Sequence, residues 1–221
     1  MDKTVYSMIL DDDVVRAVDQ LAYEKGTSRS NLINQILAEY FSFSTPEMRM
    51  KSIFETVEQT MADLGCFQVQ FQPSDAMITI RSALRYRYNP SIRYVLELYR
   101  RSDPVVGEMR VSLRTQNQTL IRILTAFFSF WLDLETRTVS SCFPQGRVPA
   151  KVEPGRYARR FILPGAKEKQ TDDGIAEAIS DYIQFFDSCL KYYFAELDNP
   201  EAAQEKLERQ YRQYVTKEGV I

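Results

Sequence analysis

The chain has 221 residues, 44% hydrophobic and 26% charged, with a formal net charge of −2 and no histidine. That length suits one small and one medium domain, and the apolar content is that of a globular chain rather than a disordered one. Without histidine the commonest general base, the usual zinc or nickel ligand and every Ser-His or Cys-His nucleophile pair are missing, so no catalytic residue, metal or cofactor is expected.

No Gly-rich phosphate loop and no metal-spaced set of carboxylates is present either. The beginning of the sequence carries no apolar signal segment. Its most apolar run, Leu120 to Leu134, is interrupted by Arg122 and Asp133 and is too short to span a bilayer. A cytoplasmic, non-enzymatic protein with no membrane partner is therefore expected. Cys66, Cys142 and Cys189 are odd in number and far apart, which predicts reduced thiols in a core.

In chain order, Thr4 to Leu10 alternates as a short strand, with Tyr6, Met8 and Leu10 on one face and Val5, Ser7 and Ile9 on the other. Asp11, Asp12 and Asp13 follow and suit the positive end of a helix, and any of the three can cap it. Val14, Val15, Val18, Leu21 and Ala22 recur at helical spacing, and Gly26 sits where a helix end wants a left-handed residue. Thr27-Ser28-Arg29-Ser30 opens a second helix whose apolar face is Leu32, Ile33, Ile36, Leu37 and Tyr40. One strand and two short helices cannot bury a core alone, and a lone strand needs a partner. The same strand of a second chain would complete a two-stranded antiparallel ribbon, which fits the major groove of DNA.

Leu10 to Phe41 resembles the ribbon-helix-helix repressors and antitoxins, the bacterial group that includes the methionine, nickel and plasmid copy-number repressors. The residues that carry the likeness are Leu10, Asp19-x-Leu21-Ala22, Gly26 and Ser28-Arg29-Ser30-x-Leu32-Ile33, and the unit they mark, residues 3–43, is about a fifth of the chain. The resemblance implies an intertwined homodimer, or a higher homo-oligomer, bound to double-stranded DNA. It places Val5, Ser7 and Ile9, with Lys3, against the bases, and Thr27, Ser28, Arg29 and Ser30 at a phosphate. Two departures stand out. Two of the three groove positions are apolar and could only touch thymine methyl groups. Residues 1–43 also hold four basic against seven acidic residues, a net of −3, whereas DNA affinity rests on phosphate neutralisation. Basic surface elsewhere, or several dimers side by side, would have to make up the difference. Alternatively, the module serves dimerisation only.

Residues 44–221 are expected to form a second, α+β domain. Ser44-Thr45-Pro46-Glu47 is a helix start, and Met50, Phe54, Val57, Met61 and Leu64 make a stripe that ends at Gly65. Met77–Tyr88, Ile92–Tyr99 and Glu108–Thr115 read as strands, with turns at Asn89-Pro90 and at Ser102-Asp103-Pro104 with Gly107, hence an antiparallel meander. Asn117 caps an apolar helix through about Glu135, the expected spine of an α-β-β-β-α domain. Residues 144–169 read as a loop rich in Pro and Gly with a net charge of +5, and two further helices close the chain.

The strands predict a two-sided sheet. Ile78, Ile80, Leu84, Tyr86 and Tyr88 share one face with the apolar residues of the next strands. The other carries Arg81, Arg85, Arg87, Arg93, Arg110 and Arg114 with Glu97. Arginine rather than lysine at every basic position between 75 and 115 suits a planar fork for phosphate, carboxylate or a base. A solvated face with Arg–Glu pairs is the plainer alternative. The sequence thus predicts a DNA-binding transcriptional regulator, with an anionic ligand or a protein partner on its second domain. An antitoxin, a plasmid-partition protein, or a nucleotide- or nucleic-acid-binding protein that works through the arginine face are the other readings.

Overall fold

The structure is a computed structural model and describes residues 5–41, 43–71, 76–100 and 104–221. The described residues form an α+β protein of six α-helices and one six-stranded antiparallel sheet. The chain divides into two compact units, Met1–Arg49 and Met50–Ile221.

In the first unit, α1 runs over Asp12–Glu24 and α2 over Arg29–Tyr40. Asp12 and Asp13 lie in the first turn of α1. Asp11 takes the N-cap position, although its side chain makes no capping bond. Gly26 ends the helix in the left-handed region (φ 60°), and the Gly26 and Thr27 N–H groups bond to the carbonyls of Tyr23 and Ala22. Ser28 then caps α2, its Oγ accepting from the Asn31 N–H at 3.2 Å. The strand expected over Thr4–Leu10 is not formed in the single chain. Residues 5–10 adopt no regular element and are exposed, while Lys3 and Thr4 lie outside the described residues. A lone strand has no partner for its backbone hydrogen bonds.

The second unit begins within α3 (Pro46–Asp63), whose start is capped by Thr45 Oγ1 accepting from the Met48 N–H. Met50, Ile53, Phe54, Val57 and Met61 turn inward and join the core of this unit, so the apolar stripe packs within the chain; Leu64 is left partly exposed. The strands β1 (Phe67–Phe71), β2 (Met77–Ala83), β3 (Ser91–Leu98), β4 (Val105–Leu113), β5 (Ala150–Glu153) and β6 (Arg156–Ile162) lie in the order β1-β2-β3-β4-β6-β5. Between β4 and β5 comes α4 (Gln118–Val139), capped by Asn117 Oδ1 accepting from Thr119 and Leu120. The chain closes with α5 (Asp172–Ala195) and α6 (Pro200–Glu218).

Three expectations are corrected here. The segment 144–169 is not a loop throughout: Pro154 and Gly155 make a tight turn between β5 and β6, with Gly155 left-handed at φ 66°. The alternation of Arg156, Tyr157, Ala158, Arg159, Arg160 and Phe161 is that of a half-buried strand, which the surrounding Pro and Gly obscure. Next, β2 ends at Ala83 rather than at Tyr88. The Leu84 N–H bonds to the Pro90 carbonyl, and Tyr88 and Asn89 turn the chain through positive φ. Arg85 and Arg87 therefore sit in a turn, not on a strand. Tyr86 still packs against the core, edge-on to Phe194, whereas Tyr88 is exposed, so the inward set ends at Tyr86. Last, the turn expected at Ser102-Asp103-Pro104 falls largely outside the described residues.

One face of the sheet carries the core. Ile78, Ile80, Ile92, Tyr94, Leu96, Met109, Val111, Tyr157 and Phe161 are all buried beneath α4 and α5. Phe186 of α5 sits at its centre, stacked on Tyr157 with ring centroids 5.5 Å apart and edge-on to Trp131 at 5.1 Å. Helix α6 adds Leu207 and Tyr211 behind α4 and α5, where Tyr211 packs edge-on against Trp131.

Two carboxylates are buried in this core and both are fully engaged. Glu135 of α4 accepts from Tyr157 at 2.7 Å, Arg159 at 3.0 Å, Tyr182 at 3.1 Å and Tyr211 at 3.3 Å. Arg159, only 1% exposed, also donates to the main-chain carbonyl of Ile221 and lies over the Tyr182 ring. Burial opposes the charge on Arg159, yet Glu135 holds its pKa above the ordinary value. Burial, followed by the Glu135 charge, pushes Tyr157, Tyr182 and Tyr211 up, so all three remain donors. On the other side of the core, Asp187 of α5 accepts from Tyr94 at 2.7 Å and Ser82 at 3.0 Å and pairs with Lys191 at 2.7 Å. It ties α5 to β2 and β3.

Gly107 sits where β4 shifts register against β6. A Cβ there would meet the main-chain carbonyl of Glu97 on β3. Gly107→Ala should therefore cost about 1–3 kcal/mol, read as a lower urea midpoint of unfolding. An unchanged midpoint would mean that β3 and β4 have room to part.

Candidate functional site: an arginine-lined sheet face

The second face of the sheet carries exposed side chains, among them Arg81, Arg93, Arg110 and Arg156. Cross-strand register fixes which side chains share it. One row reads Gln68, Arg81, Arg93, Ser112 and Arg156 across β1, β2, β3, β4 and β6. The next reads Thr79, Val95, Arg110 and Ala158, followed by Lys151 on β5. All of these side chains except Gln68 and Thr79 line a shallow concavity of about 840 Å³, which Arg114 closes just beyond the end of β4.

The charges on this face sort into two groups. Arg110 pairs with Glu97 at 2.6 Å and with Glu108, which also holds Arg160. Lys151 pairs with Glu153 at 2.6 Å and draws that carboxyl below its ordinary range. This part of the face matches the plainer expectation of solvated Arg–Glu pairs. Arg81, Arg93, Arg114 and Arg156 differ: each is exposed, and among the described residues none forms an ion pair. Arg93 makes only a long hydrogen bond, 3.4 Å, to Thr79 Oγ1. Arg81 and Arg93 are direct cross-strand partners, an arrangement of like charges that destabilises a sheet when nothing lies between them.

Of the six arginines expected on this surface, the fold gathers Arg81, Arg93, Arg110 and Arg114. Arg85 and Arg87 stand apart in the turn after β2. Arg156, Lys151 and Ser112 were not expected there. The signal for the first two was the strand alternation around Pro154-Gly155, and Ser112 follows from the phase of β4. Glu135 and Arg159 were also missed, since nothing in the local sequence marks either residue as buried.

In the N-terminal unit, Val5, Ser7 and Ile9 are exposed in the segment before α1, and Lys3 lies outside the described residues. Thr27 is half-buried, Ser28 is engaged in capping α2 and Ser30 is exposed in its first turn. Arg29 pairs with Asp19 of α1, so its guanidinium already has a carboxylate. No protein-family model, no curated protein and no solved structure matches the chain. Among the described residues, no helix is long and apolar enough to cross a membrane.

The thiols differ from the expected core set. Cys189 is buried on α5, and burial pushes its pKa up to about 12, whereas Cys66 and Cys142 are exposed. Two thiols per chain should react with a disulfide reagent in the folded protein, and the third only on unfolding. Immediate reaction of all three would mean that α5 is not seated as described.

Proposed function

We propose that the chain is a sequence-specific DNA-binding regulator that acts as a dimer through an N-terminal ribbon-helix-helix, inside the bacterial cell. The observation that supports this reading is the uncovered apolar surface of the first unit. Within α1 and α2 only Ala22, Leu32 and Ala38 are buried. Val5 (94% exposed), Ile9, Tyr40 (81%) and Phe41 (71%) stand in water, together with Met8, Leu10, Val14, Ile36, Leu37 and Phe43. Two helices of 13 and 12 residues with three buried side chains do not hold together alone. A second copy covers this surface, and pairing of residues 4–10 satisfies the strand's backbone groups in the same step.

On this reading, alternate side chains of the ribbon enter the major groove, and the start of α2 approaches a phosphate. Ser28 and Ser30 serve there with main-chain N–H groups. The Asp19–Arg29 pair and the net negative charge of residues 1–43 keep the affinity of one dimer low. Dimers bound side by side on a repeated or palindromic site supply the rest.

The protein should sediment as a dimer at micromolar concentration and select repeated or palindromic sites from genomic fragments. On a selected site, Ser7→Ala should lose about 1 kcal/mol of discrimination, and Ile9→Asp should lose far more, because it sets a carboxylate against the groove. Anisotropy titrations over a salt series measure both. An Ile9→Asp protein that is still dimeric and binds as tightly as the unmodified chain would remove the ribbon from the groove.

A further inference from the structure

We infer that the concavity on the open sheet face is a binding site for a compact chain of phosphates, such as the triphosphate of a nucleotide or an inorganic polyphosphate. This goes beyond the DNA-binding reading and does not depend on it. Arg81, Arg93 and Arg156, with Ser112 between the last two, form one row across β2, β3, β4 and β6. The row spans three strand spacings, about 14 Å. Arg114 adds a fourth guanidinium beside it, and none of the four forms an ion pair among the described residues, although Glu153 is the cross-strand neighbour of Arg156. Each guanidinium offers a planar fork matched to two phosphate oxygens, and the Ser112 hydroxyl adds a donor. An anion between Arg81 and Arg93 converts a repulsive cross-strand pair into a bridged one.

The surroundings select the class of ligand. Glu153 ends the row beyond Arg156, and Glu97 and Glu108 lie two rows away along β3 and β4, so an extended polyanion laid along the face would run into carboxylates, while a compact one need not. Among the described residues, the only aromatic side chain lining the concavity is Tyr157, and it is buried in the core. Bases of single-stranded nucleic acid therefore find no stacking platform here. What the site recognises is phosphate charge and geometry.

The test is calorimetric titration of the full chain with sodium tripolyphosphate, ATP and a mixed-sequence single-stranded oligonucleotide. Tripolyphosphate should bind once per chain, weaken steeply with added salt, and lose roughly tenfold or more in affinity in the Arg81→Gln, Arg93→Gln double variant. All four positions tested are exposed, so the fold is retained, and Arg85→Gln, Arg87→Gln in the turn should bind as the unmodified chain does. Equal affinity for ATP and tripolyphosphate assigns the site to the phosphate chain alone; tighter ATP binding assigns it to a nucleotide. The inference is overturned if neither binds, if the row variant binds both unchanged, or if the oligonucleotide alone binds in a row-dependent way.

Discussion

One carboxylate, that of Glu135, organises the second unit. It sits on α4 and is reached by Tyr157 and Arg159 of β6, Tyr182 of α5 and Tyr211 of α6. Four elements converge on one buried charge. Each donor is itself buried, so none has water as an alternative, and withdrawing the acceptor would leave three phenols without it and a guanidinium without its counter-charge. A buried ion pair of this kind is weak as a source of net stability and strong as a constraint on arrangement. It specifies which face of β6 turns inward, and hence the phase of the whole strand.

That phase has a consequence on the far side of the sheet. Because Tyr157, Arg159 and Phe161 point into the core, Arg156, Ala158 and Arg160 must point away from it. The same alternation places Arg81 and Arg93 outward on β2 and β3, and the register aligns them with Arg156. One arginine of β6 is thus spent on structure and another faces solvent, three residues apart. A slip of one residue would turn Tyr157, Arg159 and Phe161 out to solvent and bring Arg156, Ala158 and Arg160 inward in their place.

Much of this was legible in the sequence and some was not, for physical reasons. The helices α1 to α6 follow from apolar spacing together with Ser28, Thr45, Asn117 and the glycines that end them. The inward faces of β2, β3 and β4 follow from period-two alternation. The hairpin of β5 and β6 did not, because β5 has four residues and the turn chemistry of Pro154-Gly155 is shared by loops. The overrun of β2 has a similar origin: Arg85-Tyr86-Arg87-Tyr88 continues the alternation while the chain bends away at Pro90. Which arginines lack a partner depends on cross-strand register, which alternation alone does not specify. Residues 4–10 alternate as a strand would, yet residues 5–10 form no regular element in the structure.

A double-mutant cycle on Glu135 and Arg159, read by urea unfolding of the full chain, tests whether the buried pair governs the arrangement. Glu135→Leu and Arg159→Met should each cost about 3–5 kcal/mol, because each strands the other's charge. The double variant should cost at least about 2 kcal/mol less than the sum of the two. Strictly additive costs would contradict this, and would mean that β6 takes its phase from apolar packing alone.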